Sequence, residues 1–278
     1  MLPKKFILGI MFISLCLIAT YCSQLYAQEI IGNVSTYDST DPNDNDGIYH
    51  PGQKIRIVAE YRTVVQPTGS VQISSKKTGY SSISYNMTKG ANNNLEYEWD
   101  TSGLKESDDY VVSITMEDAA GSRATNSSLV IRLDNTPPKI SSVKSNDRSD
   151  IADNDGIYRP GQTISIEAQS EGNEVGLQAT IQIKSESVIY DSGPQRMAEI
   201  GNGLYRYIWT TTGLNPAKDY KVTIIFVDKA GLESQDSSLT IEIDNTPPQN
   251  AKVIINNDDI YTLSRSVNLK LSAEDAVR

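Results

Sequence analysis

The sequence predicts an all-β protein: two tandem antiparallel β-sandwiches of about seven strands each, then an incomplete third module. Three observations carry this. The chain repeats itself with a period of about 110 residues. Apolar and polar residues alternate through most segments between turn signals. After residue 27, no stretch shows the helical spacing of apolar side chains.

The repeat is clearest at "DNDGIYHPGQ", which starts at Asp44 and returns as "DNDGIYRPGQ" from Asp153. Trp99-Asp-Thr-Ser-Gly-Leu104 returns as Trp209-Thr-Thr-Thr-Gly-Leu214, and Asp109-Tyr110 as Asp219-Tyr220. The Asp118–Gly121 turn matches Asp228–Gly231, and "DNTPP" stands at both Asp134 and Asp244. This period is far longer than a solenoid unit, so each repeat is a whole domain. The expected domains are residues 28–138 and 139–248.

The elements follow in order. A first strand is expected near Ile30 to Thr36, with its twin at Ile140 to Lys144. Ile55, Ile57, Ala59 and Tyr61 alternate next, matched by Ile164, Ile166 and Ala168. Val71 and Ile73 match Ile181 and Ile183. A middle strand is expected near Ser82 to Met87. Leu95, Tyr97 and Trp99 match Tyr205, Tyr207 and Trp209. Tyr110 to Met116 matches Tyr220 to Phe226, and Leu129 to Leu133 matches Leu239 to Ile243. Period two puts each set on one face of a strand. Seven short strands in about 100 residues without a helix form the immunoglobulin-like pattern. Gly103-Leu104 shortly before Tyr110, and Gly213-Leu214 before Tyr220, match the tyrosine corner of that fold, in which the hydroxyl satisfies nearby backbone. Trp99 and Trp209 are expected in the core.

Residues 1–27 read separately. Lys4 and Lys5 precede an apolar run from Phe6 to Ile18, and a small residue stands at Ala27. This is the layout of a secretory signal peptide, with an uncleaved anchor as the rival. Cys16 and Cys22 both lie there, so the mature chain is expected to lack disulfides although its destination would permit them. The chain holds 35 acidic and 25 basic residues, two of the basic ones in this segment. Such a surface suits nucleic acid poorly, because phosphates need Lys and Arg.

The Asp-x-x-Gly-x-Tyr-x-Pro-Gly-Gln opening, the Asp-x-Ala-Gly turn and the "DNTPP" link resemble bacterial immunoglobulin-like (Big-type) repeats of secreted and cell-surface proteins. "DNTPP" is also loosely similar to the cadherin linker. Residues 249–278 are similar to the opening of a further such module, with two strands and too little sequence to close a sandwich. The notable expectation is a chain truncated within its third module.

The aspartates admit two readings. Asp44, Asp46 and Gly47, like Asp153, Asp155 and Gly156, form either an Asx-rich turn or part of a calcium loop. The loop is not an EF-hand, because Gln53 and Gln162 stand where a bidentate Glu belongs. By fold topology, Asp44, Asp46, Asp108 and Asp134 converge at one pole of the first domain, with Glu171 or Glu174 of the next domain completing a shell. Asp153, Asp155, Asp219 and Asp244 are the second set, weakened because Lys218 replaces the equivalent of Asp108. Carboxylates crowded together repel unless a cation or protons intervene, so Ca²⁺ is the expected cofactor.

A single mature His, His50, and no mature Cys exclude a repeated Ser-His-Asp site and argue against a zinc site with His or Cys ligands. No enzyme is expected within these residues. The expected role is an extracellular or cell-surface spacer or adhesion module, its partner an unidentified protein or glycan. The alternative is a carbohydrate-binding or accessory module of a larger secreted enzyme, with Tyr80, Tyr85 and Tyr190 as sugar-stacking rings.

Overall fold

A computed structural model describes residues 30–274 apart from 64 and 259. The expected signal peptide lies outside the described residues. Two compact units make up the described chain, the main division falling between Pro137 and Pro138.

In the first unit the strands are β1 (Ile31–Asp38), β2 (Ile48–Tyr49), β3 (Lys54–Tyr61), β4 (Thr68–Ser75), β5 (Tyr80–Ser81), β6 (Tyr85–Asn86), β7 (Thr88–Lys89), β8 (Asn94–Asp100), β9 (Ser107–Glu117) and β10 (Arg123–Leu133). One sheet runs β1-β3-β8-β7. The other runs β2-β10-β9-β4-β5, with β6 also on β4. This is the two-sheet arrangement of an immunoglobulin-like sandwich. The inner faces come from the alternating residues: Ile55, Ile57 and Ala59 of β3 with Leu95 and Trp99 of β8 oppose Val71, Ile73, Tyr110, Val112, Ile114 and Met116. Tyr80 packs on this core, its ring 6.3 Å from Trp99 and 5.8 Å from Tyr110.

The second unit repeats the plan with β11 (Ile140–Asp147), β12 (Ile157–Tyr158), β13 (Thr163–Ser170), β14 (Gln178–Ser185), β15 (Tyr190–Asp191), β16 (Gln195–Arg196), β17 (Ala198–Gly201), β18 (Leu204–Thr210), β19 (Ala217–Val227), β20 (Glu233–Asp236) and β21 (Thr240–Ile243). Its sheets run β11-β13-β18-β17 and β12-β21-β19-β14-β15. Trp209 and Tyr220 occupy the places of Trp99 and Tyr110, and Tyr190 that of Tyr80. Beyond it, β22 (Gln249–Ile255) and β23 (Leu269–Glu274) form a two-stranded sheet.

Both tyrosine corners are formed. Tyr110 donates its hydroxyl to the Lys105 carbonyl at 2.7 Å, and Tyr220 donates to Asn215 at 2.7 Å. Two details differ from the sequence expectation. The single middle strand is broken into β5, β6 and β7, the first two on β4 and the last on β8. The segment crosses from one sheet to the other, so no continuous ladder can run through it. The residues expected to be a plain loop after the first strand include β2, which pairs in parallel with β10.

One backbone position carries strain. Ile189, at the tip of the turn between β14 and β15, has φ +52° and is 94% exposed. The corresponding turn of the first domain places Gly79 at φ +73°. A β-branched residue in the left-handed region costs roughly 1–2 kcal/mol, and this side chain recovers little through packing. Ile189→Gly is therefore expected to stabilise the second domain by up to about 1 kcal/mol, after glycine's larger unfolded-state entropy is offset. The measurement is the chemical-denaturation midpoint; a lowered midpoint would reveal packing by Ile189 that outweighs the strain.

Candidate functional site

The repeated decamer closes one pole of each sandwich. In the first domain the chain leaves β1 at Asp38, crosses to the other sheet, pairs as β2 and turns back through Gln53 into β3. Asp38, 4% exposed, organises the crossing. Its Oδ1 accepts from the Thr40 amide at 2.6 Å and the Asp41 amide at 3.2 Å. Its Oδ2 accepts from Gln53 Nε2 at 2.8 Å. Gln53 Oε1 in turn accepts from the His50 amide at 2.7 Å. Buried Thr101 donates to the Gln53 carbonyl at 2.7 Å and accepts from the Gly52 amide at 2.9 Å. Tyr49, wholly buried, donates to Thr36 Oγ1 at 3.0 Å, and burial pushes its hydroxyl up to about 12.

The second domain uses the same parts. Asp147 accepts from the Ser149 amide at 2.6 Å and from Gln162 Nε2. Thr211 repeats Thr101, and Tyr158 donates to Ser145 at 2.9 Å. Beside this pole lies a groove of about 520 Å³, lined in part by Asp150, Asp153, Tyr158, Arg159, Gln162 and Asp244.

The carboxylates chosen from sequence are placed as follows. Asp46 and Asp155 accept from the amides of Ile48 and Ile157, each at 2.9 Å, across glycines at φ +83° and +87°. These are Asx turns. Asp44 and Asp153 face the glutamine amides at 3.4 and 3.3 Å. Asp108 pairs with Lys77, which holds its carboxyl below the usual range. Asp134 pairs with Arg132 at 2.6 Å and also accepts from the Thr136 amide. Asp244 accepts from the Thr246 amide at 2.8 Å.

Asp219 corresponds to Asp109 rather than Asp108, and both brace the β-hairpin that follows β4 or β14. Asp109 accepts from Ser107 and Ser75 and from the amides of Lys76 and Lys77. The Ser107 and Ser75 hydroxyls lead in holding its carboxyl down at about 2. Asp219 accepts likewise from Ser185, Ser187 and the amides of Glu186 and Ser187, and is pulled lower still. Lys218 pairs with Glu242 at 3.3 Å, and Glu171 with Lys139 at 3.3 Å. Among the described residues, no three His, Cys, Asp or Glu side chains come together in a group that could hold a metal ion. Amides, hydroxyls, Lys77 and Arg132 meet part of the charge crowding anticipated from sequence.

Asp44 and Asp38 show how finely this is divided. Burial pushes both carboxyls up. At Asp38 the Thr40, Asp41 and Gln53 donors outweigh it and the group is held below its usual range. At Asp44 the Gln53 amide does not suffice, and Asp46, Asp38 and Asp41 add repulsion, so the group is raised. Sequence reasoning missed Asp38 and Asp147. The signal was an Asp-x-Ser/Thr-Asp stretch at Asp38–Asp41 and Asp147–Asp150, six residues ahead of each decamer.

Of the three candidate stacking rings, Tyr80 and Tyr190 pack on the cores. Tyr85 is exposed and stacks on Tyr97, with centroids 5.2 Å apart. Among the described residues, no helix is long and apolar enough to cross a membrane.

No protein-family model matches the sequence, and no curated protein matches it either. Solved structures do resemble the fold. One is a Ca²⁺-stabilised adhesin with which an Antarctic bacterium binds ice: 14% identity, 81% of this chain and 52% of that one covered, TM-score 0.41. A tetra-tandem repeat from the extending region of a large adhesion protein aligns at 13% identity over 88% of this chain and 63% of that one, TM-score 0.34. Fibronectin(III)-like modules of Clostridium thermocellum align at 11% identity over 70% and 87%, TM-score 0.36. The chain spans about half the length of the first of these. At such identities the likeness concerns fold alone.

Proposed function

We propose that this chain is a non-catalytic extracellular or cell-surface repeat protein whose two immunoglobulin-like domains serve as a structural spacer or adhesion module, exported by the segment at residues 1–27. One observation carries this reading: the identities shared by the two repeats are scaffold parts. Tyr49 and Tyr158, Trp99 and Trp209, and Tyr110 and Tyr220 are core. Gln53 and Gln162 tie the pole, and Asp46 and Asp155 make turns. What the repeats preserve is the means of folding, and even where core residues differ, as at Leu95 and Tyr205 or Met116 and Phe226, the position stays apolar and buried.

A second reading adds Ca²⁺ at the acidic pole. What favours it is Asp44, whose raised carboxyl leaves repulsion from Asp46, Asp38 and Asp41 that a cation would relieve. It requires the Gln53 amide to yield its place, since Ca²⁺ takes six to eight oxygen ligands. The glycan-binding alternative rests on Tyr85 and Tyr97.

Single-molecule stretching of the chain from residue 28 tests the spacer role. Two discrete unfolding events are expected, each releasing roughly 350–400 Å for about 110 residues. Gradual extension without discrete events would overturn it. Repeating the pull with Ca²⁺ and with chelator decides the second reading: a higher unfolding force with Ca²⁺ supports a site at the pole, and identical forces remove it.

A further inference from the structure

Antibody domains join their two sheets by a disulfide. Residues 28–278 hold no Cys, so no disulfide ties the sheets of either sandwich. The first domain places two tyrosines across that gap. Tyr97 belongs to β8, in the sheet β1-β3-β8-β7, and Tyr85 to β6, which pairs with β4 of the other sheet. Their rings stack, 19° from parallel with centroids 5.2 Å apart. Burial, then the hydroxyls of Tyr85 and Tyr80, push the Tyr97 hydroxyl up, so the phenol oxygens are near enough to act on one another.

Other tyrosine pairs among the described residues are arranged differently. Tyr80 meets Tyr110 edge-on at 64°, and Tyr190 meets Tyr220 at 69°. Tyr110 and Tyr220 are 0% exposed, and each gives its hydroxyl to a backbone carbonyl. Tyr85 is 37% exposed, so a reagent in solution reaches it. The second domain lacks the stacked pair. Tyr207 stands for Tyr97, but Gln195 takes the place of Tyr85, since Ile181 faces Gln195 where Val71 faces Tyr85. A sandwich of this plan therefore closes without a tyrosine there.

We propose that Tyr85 and Tyr97 are a site of oxidative cross-linking, which joins the two sheets of the first domain by a carbon–carbon bond between their rings. The chemistry needs a one-electron oxidant, such as a haem peroxidase turning over hydrogen peroxide. Each phenol gives up one electron and its proton. A bond forms between the ring carbons next to the two oxygens. The hydrogens on those carbons pass to the oxygens as the rings regain aromaticity. Two hydrogen atoms leave the protein, and one hydrogen peroxide becomes two waters. Tyr85 meets the oxidant and Tyr97 is held against it, so the coupling is intramolecular and favoured by proximity. It goes beyond the spacer role and adds to it a covalent tie between sheets.

The test treats the dilute chain from residue 28 with haem peroxidase and hydrogen peroxide. Blue dityrosine fluorescence is expected, with tryptic peptides 78–89 and 90–105 joined and lighter than their sum by two hydrogen atoms. Tyr85→Phe keeps a ring for the stack but removes the phenol. It is expected to lose the link while the domain still unfolds cooperatively. Tyr80→Phe, in the same tryptic peptide as Tyr85, is expected to keep it. In single-molecule stretching the linked first domain is expected to release roughly 40 Å less, the length of about 12 residues of chain.

No joined peptide overturns the proposal. So does a link that survives in Tyr85→Phe, which would make Tyr80 the partner. So does a link that forms only between chains as concentration rises. Each of these failures leaves the two discrete unfolding events of the sandwiches untouched, so the spacer reading is judged apart.

Discussion

Trp99→Ala and Trp209→Ala are each expected to destabilise their own domain by about 3–5 kcal/mol. Each indole is 2% exposed and sits between two tyrosines that themselves touch. Trp99 lies 5.4 Å from Tyr110 and Trp209 5.3 Å from Tyr220. Removing the indole leaves a cavity that the rigid sheets can close only in part. A domain of this size has a total stability of about 5–15 kcal/mol, so the loss takes much of it. Phenylalanine separates the two sites. Trp209 donates its indole N–H to the Tyr190 hydroxyl at 3.1 Å, whereas the buried Trp99 N–H has no acceptor among the described residues. Trp99→Phe removes an unsatisfied donor, and Trp209→Phe breaks a hydrogen bond. Trp99→Phe is therefore expected to cost less. Denaturant unfolding of the chain from residue 28 measures both series. A loss below about 1 kcal/mol for Trp99→Ala would put the indole outside the core.

These tryptophans were legible in the sequence because they continue an alternating face, Leu95 to Trp99 and Tyr205 to Trp209, and alternation records burial directly. The tyrosine corner was legible for a similar reason: a turn with Gly and Leu before a tyrosine that opens a strand is a local pattern. The short parallel strand β2 was not. Two residues have no period, and pairing with β10 some eighty residues later leaves no local trace. The broken middle segment escaped because it serves two sheets in turn.

The site divides along the same line. Asp46 and Asp155 could be read as turn residues, since the glycine beside each is local. Their neighbours could not be sorted from sequence, because whether a carboxylate needs a cation depends on which donors fold against it. Lys77 stands 31 residues before Asp108 in sequence, yet it is the cation that pairs with it. Gln53 was placed in the position of a missing calcium ligand, and it is in fact the donor that joins Asp38 to the turn before β3.

Asp38 therefore makes the sharper experiment. Asp38→Ala strips acceptors from the amides of Thr40 and Asp41 and from the Gln53 side chain, and hydrogen bonds to a charged group are worth about 1.5–3 kcal/mol. A destabilisation of that size is expected at neutral pH, and Asp147→Ala should behave alike in the second domain. The pH dependence has a definite sign. Asp38 is held below its ordinary value when folded, so its contribution is present above the unfolded value near 3.8 and is lost as pH falls through the folded one. The gap between parent and variant should narrow on acidification through that window. Asp44 has the opposite sign: its carboxyl is raised in the fold, so its charged form opposes folding at neutral pH. Asp44→Asn is expected to leave stability unchanged or slightly higher, in chelator and at pH 7. Thermal melts of both variants between pH 7 and pH 2 check the pair. If Asp44→Asn were as damaging as Asp38→Ala, the division of labour at the pole would be wrong, and the Gln53 amide would be serving Asp44 as fully as Asp38.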